Sequence, residues 1–268
     1  MLVIDDDASI CAVIERLGEK AGFAPERAVS IEDAKRAVHD HRFDCITLDL
    51  SIGADTGVEL LSTLAEMASR TPIIIISGSM RSMRDFAVSI GNNLHLAVQE
   101  PFSKPIDFAK LKEALIGVRQ KLAGQAAVPV AEGHEGCVSE LGVPVAASPQ
   151  IAPDGSEVEF DASAFENLAA ELGREDTLDT FAIFFNEASN RLKRLRQLSC
   201  EQERTTLAQE AHGLKGSAAN FGLRQVSDLA AGLERNARTI TAEDYAAALQ
   251  RLETSYAAAC DLFAKLSA

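Results

Sequence analysis

The chain reads as an α/β domain with a parallel sheet followed by an all-helical bundle, and three observations predict this. Residues 2 to about 122 alternate short apolar runs with helical patterns, periodicity disappears from Gly124 to Glu159, and from Phe160 onward every stretch carries helical spacing. At 268 residues the chain is long enough for two ordinary domains, each with its own core.

In the first part, strands are expected at Leu2–Asp5, Ala24–Val29, Cys45–Asp49, Pro72–Ser77 and about Ala97–Phe102. Between and after them lie helical stretches at about 8–20, 31–41, 57–69, 81–91 and 107–122. Five strands alternating strictly with five helices fit a doubly wound, flavodoxin-like (βα)5 fold, in which ligands sit at the carboxyl ends of the strands. From Gly124 to Glu159 the composition shifts to Ala, Gly, Pro and Val with six acids and no Lys or Arg. That stretch reads as a flexible acidic linker able to span roughly 30–35 Å at ~5–6 Å × √n, so the flanking domains can meet without being forced together.

After the linker, helices are expected at about 161–172, 176–198, 203–221, 223–237 and 242–266. Asp161 and Thr241 suit N-cap positions and Gly222 suits a stop between the third and fourth helices. The last four helices suit an antiparallel bundle with short turns. Phe181, Phe184 and Phe185 read as bundle core, and the run Arg191, Lys193, Arg194, Arg196 as a solvated face, with contact to an acidic surface as the other reading.

A net charge of -14 and a pI near 4.8 argue against nucleic acid and anionic membrane surfaces as partners. The five cysteines (Cys11, Cys45, Cys137, Cys200, Cys260) form no CxxC pair, so neither a zinc site nor a disulfide framework is indicated. His39, His41, His95 and His134 show no ligand spacing and read as surface or linker residues. The start lacks a charged n-region and h-region, and no apolar run approaches 18 residues, so a cytoplasmic protein is expected.

Two clusters carry chemistry. In the first, the expected strand ends bring Asp5, Asp6, Asp49, Ser77 and Lys104 to one edge of the sheet. Three carboxylates in one crevice repel each other unless a hard cation joins them, and Mg²⁺ prefers carboxylates, water and phosphate oxygens. With the charge neutralised, Asp49 is placed to attack phosphorus, and Lys104 and the Ser77 hydroxyl to hold the remaining oxygens. The bland readings are a helix cap for Asp6 or Asp7, a strand end for Asp49 and a surface charge for Lys104; the ordered set of four at strand ends outweighs them.

The second cluster is Ala211-His212-Gly213-Leu214-Lys215-Gly216-Ser217. On a helical wheel Leu207, Ala211, Leu214, Ala218 and Phe221 share one stripe, and His212, Lys215 and Gly216 lie roughly opposite. His212 is thus expected to face solvent, with Lys215 one turn on to offset an anion. Glycine is costly inside a helix, so Gly213 and Gly216 require a reason.

The first cluster resembles the receiver domain of two-component response regulators, through Val-Ile-Asp-Asp, Leu-Asp-Leu, Ile-Ser-Gly and Ser-Lys-Pro. The resemblance implies Asp5 and Asp6 as metal-binding acids, Asp49 as phosphoacceptor, Ser77 as switch hydroxyl, Lys104 as phosphate partner, and one Mg²⁺ completed by the Ser51 backbone carbonyl. It also implies that Gly57 is the family's glycine eight residues after the acceptor and that the peptide before Pro105 is often cis. Two positions depart from the pattern: Gly53 replaces a proline, and Pro101, beside Phe102, replaces the switch aromatic. The second cluster resembles histidine phosphotransfer (HPt) domains, which implies His212 as phosphoacceptor and Lys215 as its neutralising partner.

The expected organisation is therefore a receiver over 1–123, a linker over 124–159 and an HPt four-helix bundle over 160–268. The expected function is phosphorelay signalling, in which a phosphoryl group on Asp49, His212 or both passes between histidine and aspartate of partner proteins. With neither an Asn-rich box, a DxGxG loop nor a P-loop, the phosphate is expected from a sensor histidine kinase or another receiver. The rival readings are a receiver that gates access to the bundle without internal transfer, and an adaptor or phosphate sink.

Overall fold

A computed structural model describes residues 1–52, 55–78, 81–125 and 160–267. Gly53, His134, Cys137 and linker positions 126–159 lie outside the described residues.

The first unit runs β1 (Leu2–Ile4), α1 (Ala8–Lys20), β2 (Glu26–Ala28), α2 (Ile31–Asp40) and β3 (Ile46–Asp49). It continues through β4 (Ser51–Ile52), β5 (Asp55–Thr56), α3 (Val58–Glu66), β6 (Ile73–Ser77), α4 (Arg81–Asn93), β7 (Phe102–Ser103) and α5 (Phe108–Gln125). Five strands form one parallel sheet in the order β2-β1-β3-β6-β7. The chain reverses direction across the sheet between β1 and β3, the crevice at which doubly wound folds bind ligands.

Strand periodicity decides which helices cover which face. Leu2, Ile4, Ile46, Leu48, Ile73 and Ile75 pack under α2 and α3, whereas Val3, Ile74 and Ile76 pack under α1 and α5. The central strands are apolar on both faces because helices cover both.

Several boundaries differ from the sequence reading. The second strand shortens to three residues, and the fifth to Phe102–Ser103, with Val98 reaching Ile73 only as an isolated bridge. Pro101 has no N–H to give a ladder, and the strand starts at the next residue. A short antiparallel pair, Ser51 with Thr56 and Ile52 with Asp55, follows the third strand and was not anticipated. The fifth helix runs three residues further than expected, so Gly124 and Gln125 belong to α5 rather than to a linker.

The second unit is α6 (Ala162–Leu172), α7 (Arg174–Gln197), α8 (Arg204–Asn220), α9 (Arg224–Asn236) and α10 (Ala242–Ser267). Asp161 caps α6 by accepting the Ser163 N–H (3.0 Å), and Thr241 accepts the Asp244 N–H (3.1 Å) at the start of α10. Gly222 stops α8 with φ 75°, a left-handed conformation that costs a glycine nothing, and the Leu223 N–H returns to the Ala218 carbonyl (2.8 Å). Helices α7, α8, α9 and α10 close into a ring around Phe181, Phe184 and Phe221, whose rings pack edge-on and stacked.

The α1 and α5 face of the sheet is continuous with the bundle core, with α1 packed on α7 and α5 on α6. Polar contacts ring this junction. Arg16 Nη1 donates to Thr180 Oγ1 (2.9 Å) and its guanidinium pairs with Asp176 (3.4 Å) and Asp179 (3.6 Å). Lys20 pairs with Asp176 (3.7 Å) and Lys112 with Glu171 (2.9 Å). Among the described residues, no helix is long and apolar enough to cross a membrane.

Candidate functional site

The acidic cluster forms because three strands end together. Asp5 follows β1 and Asp49 closes β3; both are almost fully buried, and with Asp6 they offer carboxylate oxygens within 4.8 Å of one another. Lys104, from the loop after β7, bridges two of them, its Nζ lying 2.7 Å from Asp5 Oδ2 and 2.6 Å from Asp49 Oδ2. The remaining oxygens are aimed by backbone donors: the Asp7 N–H reaches Asp5 Oδ1 (2.9 Å) and the Ser51 N–H reaches Asp49 Oδ1 (3.0 Å). Asp7 caps α1 by accepting the Ser9 N–H (3.0 Å) and the Ile10 N–H (3.2 Å). Gly57 is required at its position, because a Cβ there would collide with the Asp49 carbonyl and the Leu50 backbone. The Lys104–Pro105 peptide is cis, and the Lys104 N–H donates to the Ser77 carbonyl (3.1 Å).

Electrostatics in this crevice are unbalanced. Burial pushes Asp5 up to about 7; Lys104 opposes that shift, while Asp49 and Asp7 reinforce it. Burial works to lower the Lys104 ammonium, but the charges of Asp5 and Asp49 outweigh it and raise it well above its ordinary range.

His212 stands on α8, and its helix packs as the wheel requires: Leu207, Ala211, Leu214, Ala218 and Phe221 are all buried. The ring itself does not face open solvent as the sequence suggested. Its side chain is 35% exposed and lines a cavity of about 630 Å³ that it shares with Lys215 and with Asp5, Asp6, Asp49 and Lys104. The two clusters read separately in the sequence thus form the walls of one cavity.

Glu234, on α9, is a site residue that the sequence reading missed. Its Oε1 lies 2.7 Å from His212 Nδ1 and its Oε2 accepts from Lys215 Nζ (2.6 Å). Lys215 Nζ is also 3.4 Å from Nδ1, but the shorter contact and the occupied ammonium decide the tautomer. Nδ1–H donates to Glu234, and Nε2 keeps the free lone pair. Although burial works against it, hydrogen bonds from Lys215 and His212 hold the Glu234 carboxyl below its ordinary range.

The other expected residues take different places around the cavity. Ser77 is fully buried at the end of β6, and it is the next residue, Gly78, that lines the cavity. Ser51 lines the cavity. Arg191 is not on a solvated face: it is 6% exposed, lines the cavity and faces Asp7. Arg194 and Arg196 are exposed and pair with Glu187, Glu210 and Glu253.

The residues present fit a divalent cation. Six carboxylates and three cations line the cavity among the described residues, and the Asp5, Asp6 and Asp49 oxygens are the hard donors that Mg²⁺ favours. Burial first, and then the neighbouring Asp49 and Asp7 charges, raise Asp5, and a bound cation would offset both.

Comparison with known proteins matches the two parts of the chain to two different family models. A response regulator receiver domain model matches residues 1–116 and an Hpt domain model matches residues 179–261. Over 125 residues the chain is 32% identical to the transcriptional regulatory protein DcuR of Escherichia coli, covering 45% of this chain and 50% of that one. Over 247 residues it is 26% identical to the sensory/regulatory protein RpfC of Xanthomonas campestris, covering 88% of this chain and 30% of that one. The chain thus spans half the length or less of these relatives. Among solved structures it is similar to a Francisella response regulator receiver domain, at 22% identity and a TM-score of 0.40, covering 45% of this chain and 96% of that one.

Proposed function

Because this chain joins a response regulator receiver domain to an Hpt domain, we propose that it is a two-component phosphorelay protein that exchanges a phosphoryl group between its own Asp49 and His212. The observation that carries this reading is the single cavity lined by Asp49, Lys104, His212 and Lys215. On this reading the receiver corresponds to residues 1–123 and the phosphotransfer bundle to 160–268.

In the transfer step, Nε2 of His212 directs its lone pair at the phosphorus of phospho-Asp49. A P–N bond forms as the P–O bond to Asp49 breaks, and the electron pair returns to the carboxylate. The imidazole keeps its Nδ1 proton and donates it in a hydrogen bond to Glu234, whose carboxylate offsets the positive charge the ring gains. Lys104 is already seated on Asp49 and balances the carboxylate that leaves, while Lys215 stands ready for the phosphoryl oxygens on the histidine side. Mg²⁺ bound by Asp5, Asp6, Asp49 and the Ser51 carbonyl would supply neutralisation of the phosphoryl oxygens in flight. The Ser77 hydroxyl is assigned a role in sensing the phosphorylated state from the end of β6. A sensor histidine kinase or a further receiver supplies or takes the phosphate, in the cytoplasm.

Labelling with acetyl phosphate and Mg²⁺, followed by peptide mapping, tests this. His212 labelled in the native chain but not in Asp49→Ala supports the internal relay. Label confined to Asp49, with His212 filled only by a separate phosphorylated receiver, makes the first domain a gate on the bundle and sinks the reading.

A further inference from the structure

We propose that Arg191, on α7, is a phosphoryl-binding residue contributed by the bundle to the shared cavity, acting on the group as it moves between Asp49 and His212. This deepens the internal relay and rests on it.

Three observations support the assignment. Arg191 is 6% exposed yet lines the cavity that holds both acceptors. Its guanidinium is poorly satisfied for a buried cation. Nη1 donates to Glu210 Oε2 (3.3 Å), Nε lies 3.5 Å from Glu187 and Nη2 3.9 Å from Asp7, and Nε has no hydrogen-bond partner among the described residues. Nε is enclosed, but the long Nη contacts leave the terminal donors weakly engaged, and an arginine fork suits bidentate binding of phosphate oxygens.

The third observation is Gly213. A Cβ there would fall on Nη1 and Cζ of Arg191, so the glycine exists to let the guanidinium lie against α8 one residue from His212. That answers the requirement the sequence posed at position 213. Gly216 is different, because a Cβ there meets nothing within 4 Å.

The chemistry needs no added reactant. The phosphoryl group leaves Asp49 and joins Nε2 of His212 as described, and Arg191 donates N–H bonds to its oxygens without gaining or losing a proton. Glu210 and Glu187 hold the guanidinium in place beforehand, so little reorganisation is required.

The test uses the full chain, charged at Asp49 with acetyl phosphate, and follows single-turnover transfer to His212. Hydrogen exchange at the Ile106 amide, which bonds across the domain junction to Asn220, reports docking separately. Arg191→Gln is expected to slow transfer, measured per Asp49 phosphate loaded, at least about tenfold, below the roughly 10²–10³ of an oxyanion-hole donor, with Ile106 protection intact. Arg191→Lys is expected to recover part of the rate. Unchanged transfer in Arg191→Gln, or a loss that only accompanies lost Ile106 protection, overturns the proposal and leaves Arg191 a docking residue. Should the native chain fail to move phosphate from Asp49 to His212, the relay reading fails by itself. Arg191 is then judged by the same criterion with a phosphorylated His212→Ala chain as donor and Asp49→Ala chains, with and without Arg191→Gln, as acceptors.

Discussion

Glu234 grips His212 and Lys215 together: one carboxylate oxygen lies 2.7 Å from the ring Nδ1 and the other 2.6 Å from the ammonium. The pair fixes the tautomer that leaves Nε2 nucleophilic and parks a cation where the phosphoryl group will arrive. Glu234→Gln keeps the shape but removes the charge that stabilises a positive ring. Phosphorylation of His212 is expected to slow by about one to two orders of magnitude, the usual cost of losing an orienting partner, with labelling of Asp49 unchanged. Single-turnover transfer rates check both halves of that statement.

The raised Asp5 group sets a pH dependence for the metal. Metal binding requires Asp5 ionised, and in the metal-free protein that happens only above about pH 7. Mg²⁺ affinity should therefore climb by up to about tenfold per pH unit below that value and level off above it. For stability the sign is opposite. A carboxyl raised on folding contributes stability that is present at acid pH and lost as pH rises through about 7. Thermal melts of metal-free protein should show that decline, and saturating Mg²⁺ should reverse it at neutral pH.

The glycines of α8 divide cleanly. Gly213→Ala drives a methyl group into the buried Arg191 guanidinium and should cost about 1–3 kcal/mol, the range for overpacking. Gly216→Ala meets open space and should gain up to about 1 kcal/mol from helix propensity. Denaturant midpoints of the two variants should move in opposite directions.

Asn220 ties the domains with one short bond, its Oδ1 accepting the Ile106 N–H at 2.6 Å just past the Lys104–Pro105 peptide. Asn220→Ala leaves a buried amide without its acceptor, so the docked arrangement should weaken by about 1–3 kcal/mol. Faster exchange at the Ile106 amide is the direct reading. The ion pairs around Arg16 and Lys20 involve partly exposed side chains, and such pairs contribute about 0–1 kcal/mol each, so added salt should loosen docking only modestly.

Much of the fold was legible because strand and helix periodicities are strong here: the alternating βα pattern, the caps at Asp161 and Thr241 and the stop at Gly222 all follow from local chemistry. The acidic crevice was legible for a related reason, since strand ends in a parallel sheet must converge. What escaped the sequence depends on tertiary packing. Glu234 reaches His212 from α9, and nothing in its own helix distinguishes it from a surface charge; Arg191, on α7, faces Asp7 of the first domain, which the sequence offered only as the rival to a solvated face. The Ser51–Ile52 and Asp55–Thr56 pair is too short to leave a periodic signal. That His212 would be half-covered, rather than facing solvent, follows only from how α1 and α5 sit on α7 and α6.

The most direct test of the shared cavity is the rate of His212 labelling from phospho-Asp49 across a hundredfold dilution of the chain. Transfer inside one molecule predicts a first-order rate constant that does not change with protein concentration. A rate that falls in proportion to dilution would mean that phosphate passes between separate chains, and would contradict the account.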